Sequence, residues 1–288
     1  MSTENGISFR AQIMKSLCLN SDKADIFFVI HENGQQERIS AHKCILACGS
    51  PVFNTVFYGD QPKQETEIPI TDSSAAAFKL FMQFFYLDTV CLSYDNAIEV
   101  LQLAQKFQVI ECFETYARFM QRHLKIDNVC SAFAVANTFS QQMTNFLQVC
   151  REYIANNLQA VLETDNFRCC PTEILKEILE IAREKNYNRI KIFSAAMNWS
   201  SHACEKKNIN KELSKNLRHQ LGDVFNLIAF DQMTLDEFAQ CLTKRSNLFE
   251  SVELEKVIIA IAKASNKKRR SSNADRNDEN PQKKNVRK

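Results

Sequence analysis

The chain has only five glycines in 288 residues, Gly6, Gly34, Gly49, Gly59 and Gly222, and they never cluster. Phosphate-cradling loops need several Cβ-free bends in a short span, so the glycine-rich nucleotide motifs are excluded. Five prolines add little punctuation, which predicts long helices and few tight turns. Long apolar runs are also missing. The best, Ile26–Ile30 and Val257–Ala262, fall far short of the ~20 residues a membrane-spanning helix needs. Residues 1–20 show no apolar stretch of signal-peptide kind, because Arg10 and Lys15 interrupt it. The eleven cysteines therefore read as free thiols in a reducing, intracellular compartment, the cytoplasm. Cys44, Cys48, Cys112 and Cys241 sit among apolar residues, as small core hydrophobes would.

What is present is ordinary in amount and uneven in place. The hydrophobic fraction is 45% and the charged fraction 24%, and the length suits one large or two ordinary domains. Residues 263–288 hold ten Lys/Arg and three acids, while the rest of the chain carries 26 basic and 31 acidic groups. An acidic body with a basic tail is not a basic-faced nucleic-acid-binding fold; only weak, salt-dependent polyanion binding by the tail is expected.

Ile7, Met14 and Leu17, with Ile13 alongside, predict a short amphipathic helix over 7–19. Asp25–Ile30 reads as a strand covered on both faces, Glu32-Asn33-Gly34 as a turn and Gln35–Ser40 as the return strand. Helical spacing follows from Ala41 to Tyr58, with Pro51 starting a second helix after a Ser50 cap. Glu67–Ile70 is a short strand, placed at an edge by Pro69. Thr71–Ser74 caps a phenylalanine-rich helix over 75–86, and helices are predicted at 96–107 and 111–124. Beyond Lys125 the patterns are helical throughout: 127–139, 143–161, 171–185, 189–206, 210–220, 234–243 and 250–264. From 263 onward hydrophobicity is lost, which predicts disorder.

The motifs in this order resemble a BTB/POZ domain followed by a BACK domain. Ala24-Asp25-Ile-Phe-Phe-Val29, Ile39-Ser-Ala-His42-Lys43-Cys-Ile-Leu46-Ala47, Ser50–Phe53, Val56–Asp60, Ile68–Asp72 and Phe81–Asp88 are similar to the BTB pattern. Asn198-Trp199 and Met233–Phe238 are similar to BACK positions. The subgroup most resembled has longer members with a β-rich PHR domain after BACK. The resemblance implies an N-terminal dimerisation helix (1–21), an α+β BTB/POZ domain with a small sheet flanked by helices (22–124), an all-α BACK domain (125–262) and a disordered basic tail (263–288).

The resemblance also implies sites. A two-fold dimer would use Ile7, Ile13, Met14, Leu17, Asp25 and Lys43. Asp25, at the head of an apolar strand, needs a partner, and His42 or Lys43 can supply it as a structural bond or as part of a charged pocket on the dimer face. The cullin-3 contact would fall on Tyr58, Asp60, Gln61, Lys63, Glu65 and Phe107. Relatives carry a bulky apolar residue, any residue, then Glu in this loop; here Gln61-Pro62-Lys63 stands in its place. Lys63 would put an ammonium where a carboxylate normally accepts hydrogen bonds.

Other chemistry finds little support. There is no C-x-x-C and no G-x-S-x-G, and Cys169-Cys170 and His202-Ala-Cys204 lack the companions a metal site needs. Lys267, Lys268, Arg269 and Arg270, followed after twelve residues by Lys283 and Lys284, resemble a two-part nuclear import signal that an importin would read. The expectation is a non-catalytic, cofactor-free homodimer that binds cullin-3 and recruits a protein target for ubiquitination. The alternative is a nuclear scaffold or transcription regulator that self-associates without a cullin.

Overall fold

The computed structural model describes residues 8–32, 34–62 and 64–278. They pack as two compact units, one holding the chain through Leu124 together with Val135–Val149, the other Lys125–Ala134 and the chain from Cys150 onward.

In the first unit, α1 (Phe9–Leu17) precedes β1 (Ile26–Glu32) and β2 (Gln35–Ala41), which form an antiparallel hairpin through Gly34. Gly34 has φ +77°, a conformation that glycine adopts without a Cβ penalty. After α2 (Lys43–Gly49) and α3 (Pro51–Tyr58), β3 (Glu67–Ile70) returns to pair in parallel with β1. The order β2-β1-β3 makes the apolar strand central and leaves Pro69 at an edge, as its missing N–H requires. Ile26, Phe28, Val29 and Ile30 are buried. Then come α4 (Ala75–Gln83), α5 (Ala97–Lys106) and α6 (Ile110–Arg122).

An aromatic cluster forms the core. Phe53 stacks on Phe107 at 4.3 Å between centroids and on Phe57 at 5.6 Å, and Phe28 lies against both Phe53 and Phe78. Ser50 ties the chain into it. Its hydroxyl accepts the Phe53 N–H at 3.1 Å, capping α3, and donates to the Phe107 carbonyl at 2.6 Å. Pro51 occupies the first turn of α3, where a missing N–H costs nothing. Gly49 lets α2 approach α4's end, since a Cβ there would lie 2.7 Å from the Phe85 ring.

The helices from 129 onward are α7 (Val129–Thr138), α8 (Thr144–Asn156), α9 (Leu158–Leu162), α10 (Asp165–Arg168), α11 (Thr172–Glu184), α12 (Arg189–Lys206), α13 (Ser214–Leu221), α14 (Leu235–Lys244) and α15 (Ser251–Asp278). Two short 3₁₀ segments, Gly222–Ile228 and Phe230–Gln232, join α13 to α14. The helix expected over 143–161 is interrupted at Asn157, whose side-chain amide donates to the Tyr153 carbonyl at 2.9 Å and so competes with the backbone ladder. The helix expected over 210–220 starts late. Asn210 Oδ1 instead accepts the Glu212 N–H in a side-chain turn at 2.9 Å.

Phe225, Phe230, Phe238 and Phe249 form a second aromatic cluster, with Phe230 5.0 Å from Phe249. Trp199 donates its indole N–H to the Cys170 carbonyl at 2.9 Å. Arg189 is buried, and its guanidinium donates to the Tyr187 carbonyl, Asn186 Oδ1 and Gln232 Oε1. Thr234 and Glu237 complete a capping box on α14.

By its backbone α15 runs on through 263–278. Low hydrophobicity removes a packing face but not helix propensity, and no Gly or Pro interrupts the chain between Ser251 and Pro281. Cys44 and Cys48, expected in the core, are exposed on α2, whereas Cys112 and Cys241 are buried. Position i, i+4 on one face is compatible with either side of a helix, and the apolar side of α2 is carried by Leu46.

Candidate interaction surfaces

α1 starts at a Ser8 cap whose hydroxyl accepts the Ala11 N–H at 3.2 Å. None of its residues is fully buried. Phe9 is 76% and Ile13 43% exposed, while Met14 and Leu17 are half-buried. Met14 lines a groove of about 500 Å³ with Ile45, Cys48, Phe84, Phe85 and Val109. One side of the helix thus meets its own domain and the other presents bare rings and branches. The apolar spacing from Ile7, which lies outside the described residues, does not mark Phe9.

Asp25 finds its partner in the backbone. Its Oδ1 accepts the Lys43 N–H at 2.8 Å, at the start of α2. The Lys43 ammonium lies 5.8 Å from the Phe57 ring instead. Asp25 is exposed, so this is a helix cap and not a buried charge pair. His42 turns inward, where its own N–H and Nδ1 lie 3.0 and 3.1 Å from the Tyr86 hydroxyl. Asp25→Ala is expected to cost ~1 kcal/mol, the usual size of a lost cap, measured as a shift of the urea midpoint followed by circular dichroism.

Beyond α3 the chain presents Tyr58, 57% exposed, then Asp60 and Gln61, both exposed, and Glu65 further on. Lys63 lies outside the described residues. Glu67 at the head of β3 pairs with Arg38 at 2.9 Å, and that guanidinium sits 3.3 Å over the Phe27 ring. Phe107, expected on this surface, does not belong to it. Its ring is buried between Phe53 and Phe81, because the link between α5 and α6 folds inward onto the core. The exposed apolar residue nearby is Ile110, 73% exposed at the start of α6.

The basic tetrad Lys267, Lys268, Arg269 and Arg270 lies on α15 by its backbone, and Lys283 and Lys284 lie outside the described residues. Among the described residues no three His, Cys, Asp or Glu side chains converge as metal ligands, and no helix is long and apolar enough to cross a membrane.

Two family models match in succession, the BTB/POZ domain over residues 14–124 and BACK (BTB And C-terminal Kelch) over 129–229. The chain belongs to the BTB/POZ–BACK family. Curated relatives agree. BTB/POZ domain-containing protein 6 of Mus musculus is 31% identical over 223 residues, 76% of this chain and 40% of its own length. BTB/POZ domain-containing protein 3 of Homo sapiens is 30% identical over 226 residues, 78% of this chain and 42% of its own. This BTB–BACK chain therefore spans about two-fifths of the length of the relatives it matches. The solved BTB domain of zebrafish PATZ1 aligns over 42% of this chain and 99% of its own, at 19% identity and a TM-score of 0.33.

Proposed function

We propose that this BTB–BACK chain is a non-catalytic homodimeric adaptor that binds cullin-3 and holds a protein target for ubiquitination. The observation that carries the reading is α1, a helix with no fully buried residue that presents Phe9 and Ile13. Exposed apolar side chains on one side of a helix are stabilised when that side is covered, and a second copy offers a matching side across a two-fold axis. Tyr58, Asp60, Gln61 and Ile110 then supply an exposed surface for a helical partner. An adaptor of this kind works by raising the local concentration of target lysines near the ubiquitin carrier.

Light scattering on the purified full chain should give twice 33.1 kDa at micromolar concentration. The double variant Phe9→Glu, Ile13→Glu should give a single copy, because it would bury like charges in a desolvated contact. A monomeric wild type would end the dimer reading. For the cullin arm, a pull-down with the N-terminal part of cullin-3 should be weakened by Tyr58→Ala and strengthened by Lys63→Glu. A change in neither would remove this loop from the contact. The second reading, a nuclear scaffold, is favoured by Gln61-Pro62-Lys63, which lacks the apolar anchor and the acid. A stable dimer that captures no cullin-3, and whose nuclear entry through an importin is abolished by replacing Lys267–Arg270, Lys283 and Lys284 with Ala, would decide for it.

A further inference from the structure

Cys169 follows α10 and is exposed, whereas Cys170 beside it is buried. Residues 33 positions apart meet here: Cys169 Sγ lies 3.3 Å from Nε2 of His202 on α12. The other ring nitrogen, Nδ1, lies 3.8 Å from Glu205 Oε2, one turn further along the helix. The Lys211 ammonium bonds Glu205 and holds its carboxyl below the usual carboxylate range, so Glu205 stays ionised and faces the imidazole. Arg168, the last residue of α10, is close enough to act on Glu205 as well. A thiol, a base and an anion behind the base therefore stand in line.

The same side of α12 continues into a cleft. Lys191, Ser194 and Asn198 precede His202 at helical spacing and line a space of about 450 Å³ with Gln159, Tyr187 and Arg168. That volume is within the usual range for a site holding a small molecule. Its lining offers two cations against one carboxylate, with Arg168 and Lys191 facing Glu163, together with amides and hydroxyls; Arg168 also pairs with Asp165 and Lys191 with the Gln159 amide oxygen.

We propose that Cys169 is a mixed-disulfide site for a small acidic peptide disulfide of the glutathione type, with His202 as the proton carrier and the adjoining cleft as the seat of the peptide. As the Cys169 sulfur attacks one sulfur of the incoming disulfide, its proton passes to His202 Nε2. The new S–S bond forms and the old one breaks. The departing thiolate takes the proton from the imidazolium, so sulfur is oxidised on the protein and reduced on the leaving peptide. The other thiols are poor competitors. Burial pushes Cys112, Cys130 and Cys150 up to about 12, and the remaining exposed ones, Cys44, Cys48 and Cys91, have no imidazole described against them.

The test treats the full chain with oxidised glutathione and follows each cysteine by mass spectrometry over time. Cys169 should gain the adduct at least tenfold faster than Cys44, Cys48 or Cys91, and His202→Gln should slow Cys169 about tenfold while leaving those three unchanged. Native Trp199 emission, one turn away, checks that the variant is folded. Cystamine, a cationic disulfide, should react more slowly at Cys169 than oxidised glutathione, and Lys191→Gln should narrow that difference. Equal rates at the four exposed thiols, or an unchanged rate in His202→Gln, would overturn the site. Faster reaction with cystamine would overturn the assignment of the cleft.

Discussion

Phe53→Ala is expected to destabilise the sheet-bearing unit by about 3–5 kcal/mol, the range for deleting a buried ring. Phe53 is 1% exposed and touches four other rings, Phe28, Phe57, Phe85 and Phe107. Truncation removes the apolar transfer term and leaves a hole that stacked neighbours cannot close without leaving their rotamers. It also strips the ring from the helix turn that Ser50 caps and ties to the Phe107 carbonyl. Hydrogen exchange resolved by peptide would read the effect. Protection of Ile26–Ile30 and of α4 should fall together by several orders of magnitude, since a loss of this size is more than two factors of ten in the open population. Unchanged protection of β1 would show that this cluster does not hold the unit together.

The second large effect is expected at Arg189. Arg189→Met should lower the stability of the helical unit by about 2–4 kcal/mol, because hydrogen bonds to a charged donor are worth ~1.5–3 kcal/mol and their acceptors are left unsatisfied when it goes. The guanidinium joins the turn before α12, through the Tyr187 carbonyl and Asn186 Oδ1, to Gln232 in the second 3₁₀ segment. Asn186 takes the left-handed conformation at φ +50° just past the end of α11, a common helix stop for Asn, and its side chain is thereby presented to the guanidinium. Arg189→Lys should restore little, since an ammonium cannot reach three acceptors spread over a planar fork. Trp199, the chain's single tryptophan, lies in the same unit and reports unfolding in urea. A midpoint equal to that of the unaltered protein would show that the three bonds are replaced by water at no loss.

These two residues mark different relations between sequence and structure. Phe53 was legible as a core residue, because it belongs to an apolar series at helical spacing between a Ser-Pro start and a glycine stop. Arg189 was not, because nothing in a local window distinguishes an arginine that reaches across to Gln232 from one in solvent. The same division runs through the candidate sites. Asp25 announced a need for a partner by standing at the head of an apolar strand, and the Lys43 N–H answers it. Phe107 is placed on a contact surface only by the family resemblance, and nothing in its local sequence shows that it turns inward. Its carbonyl is held by Ser50 and its ring by Phe53, neither of which is near it in sequence.

By itself the sequence determined the three strands and most of the helices in their order, the apolar character of the central strand, the prolines at a helix start and a sheet edge, and the BTB–BACK membership. The elements and the two prolines are written in nearest-neighbour chemistry, either the period of the apolar residues or the φ and N–H demands of one residue type, whereas the membership rests on the resemblance of whole motifs. Tertiary structure alone decided which face of α2 carries its cysteines, that Phe107 turns inward, that Arg189 bridges to Gln232, and that Cys169 meets His202. Those outcomes depend on packing between segments dozens of residues apart. Burial and contact at that range are set by the summed fit of many side chains, which no single stretch of the chain encodes.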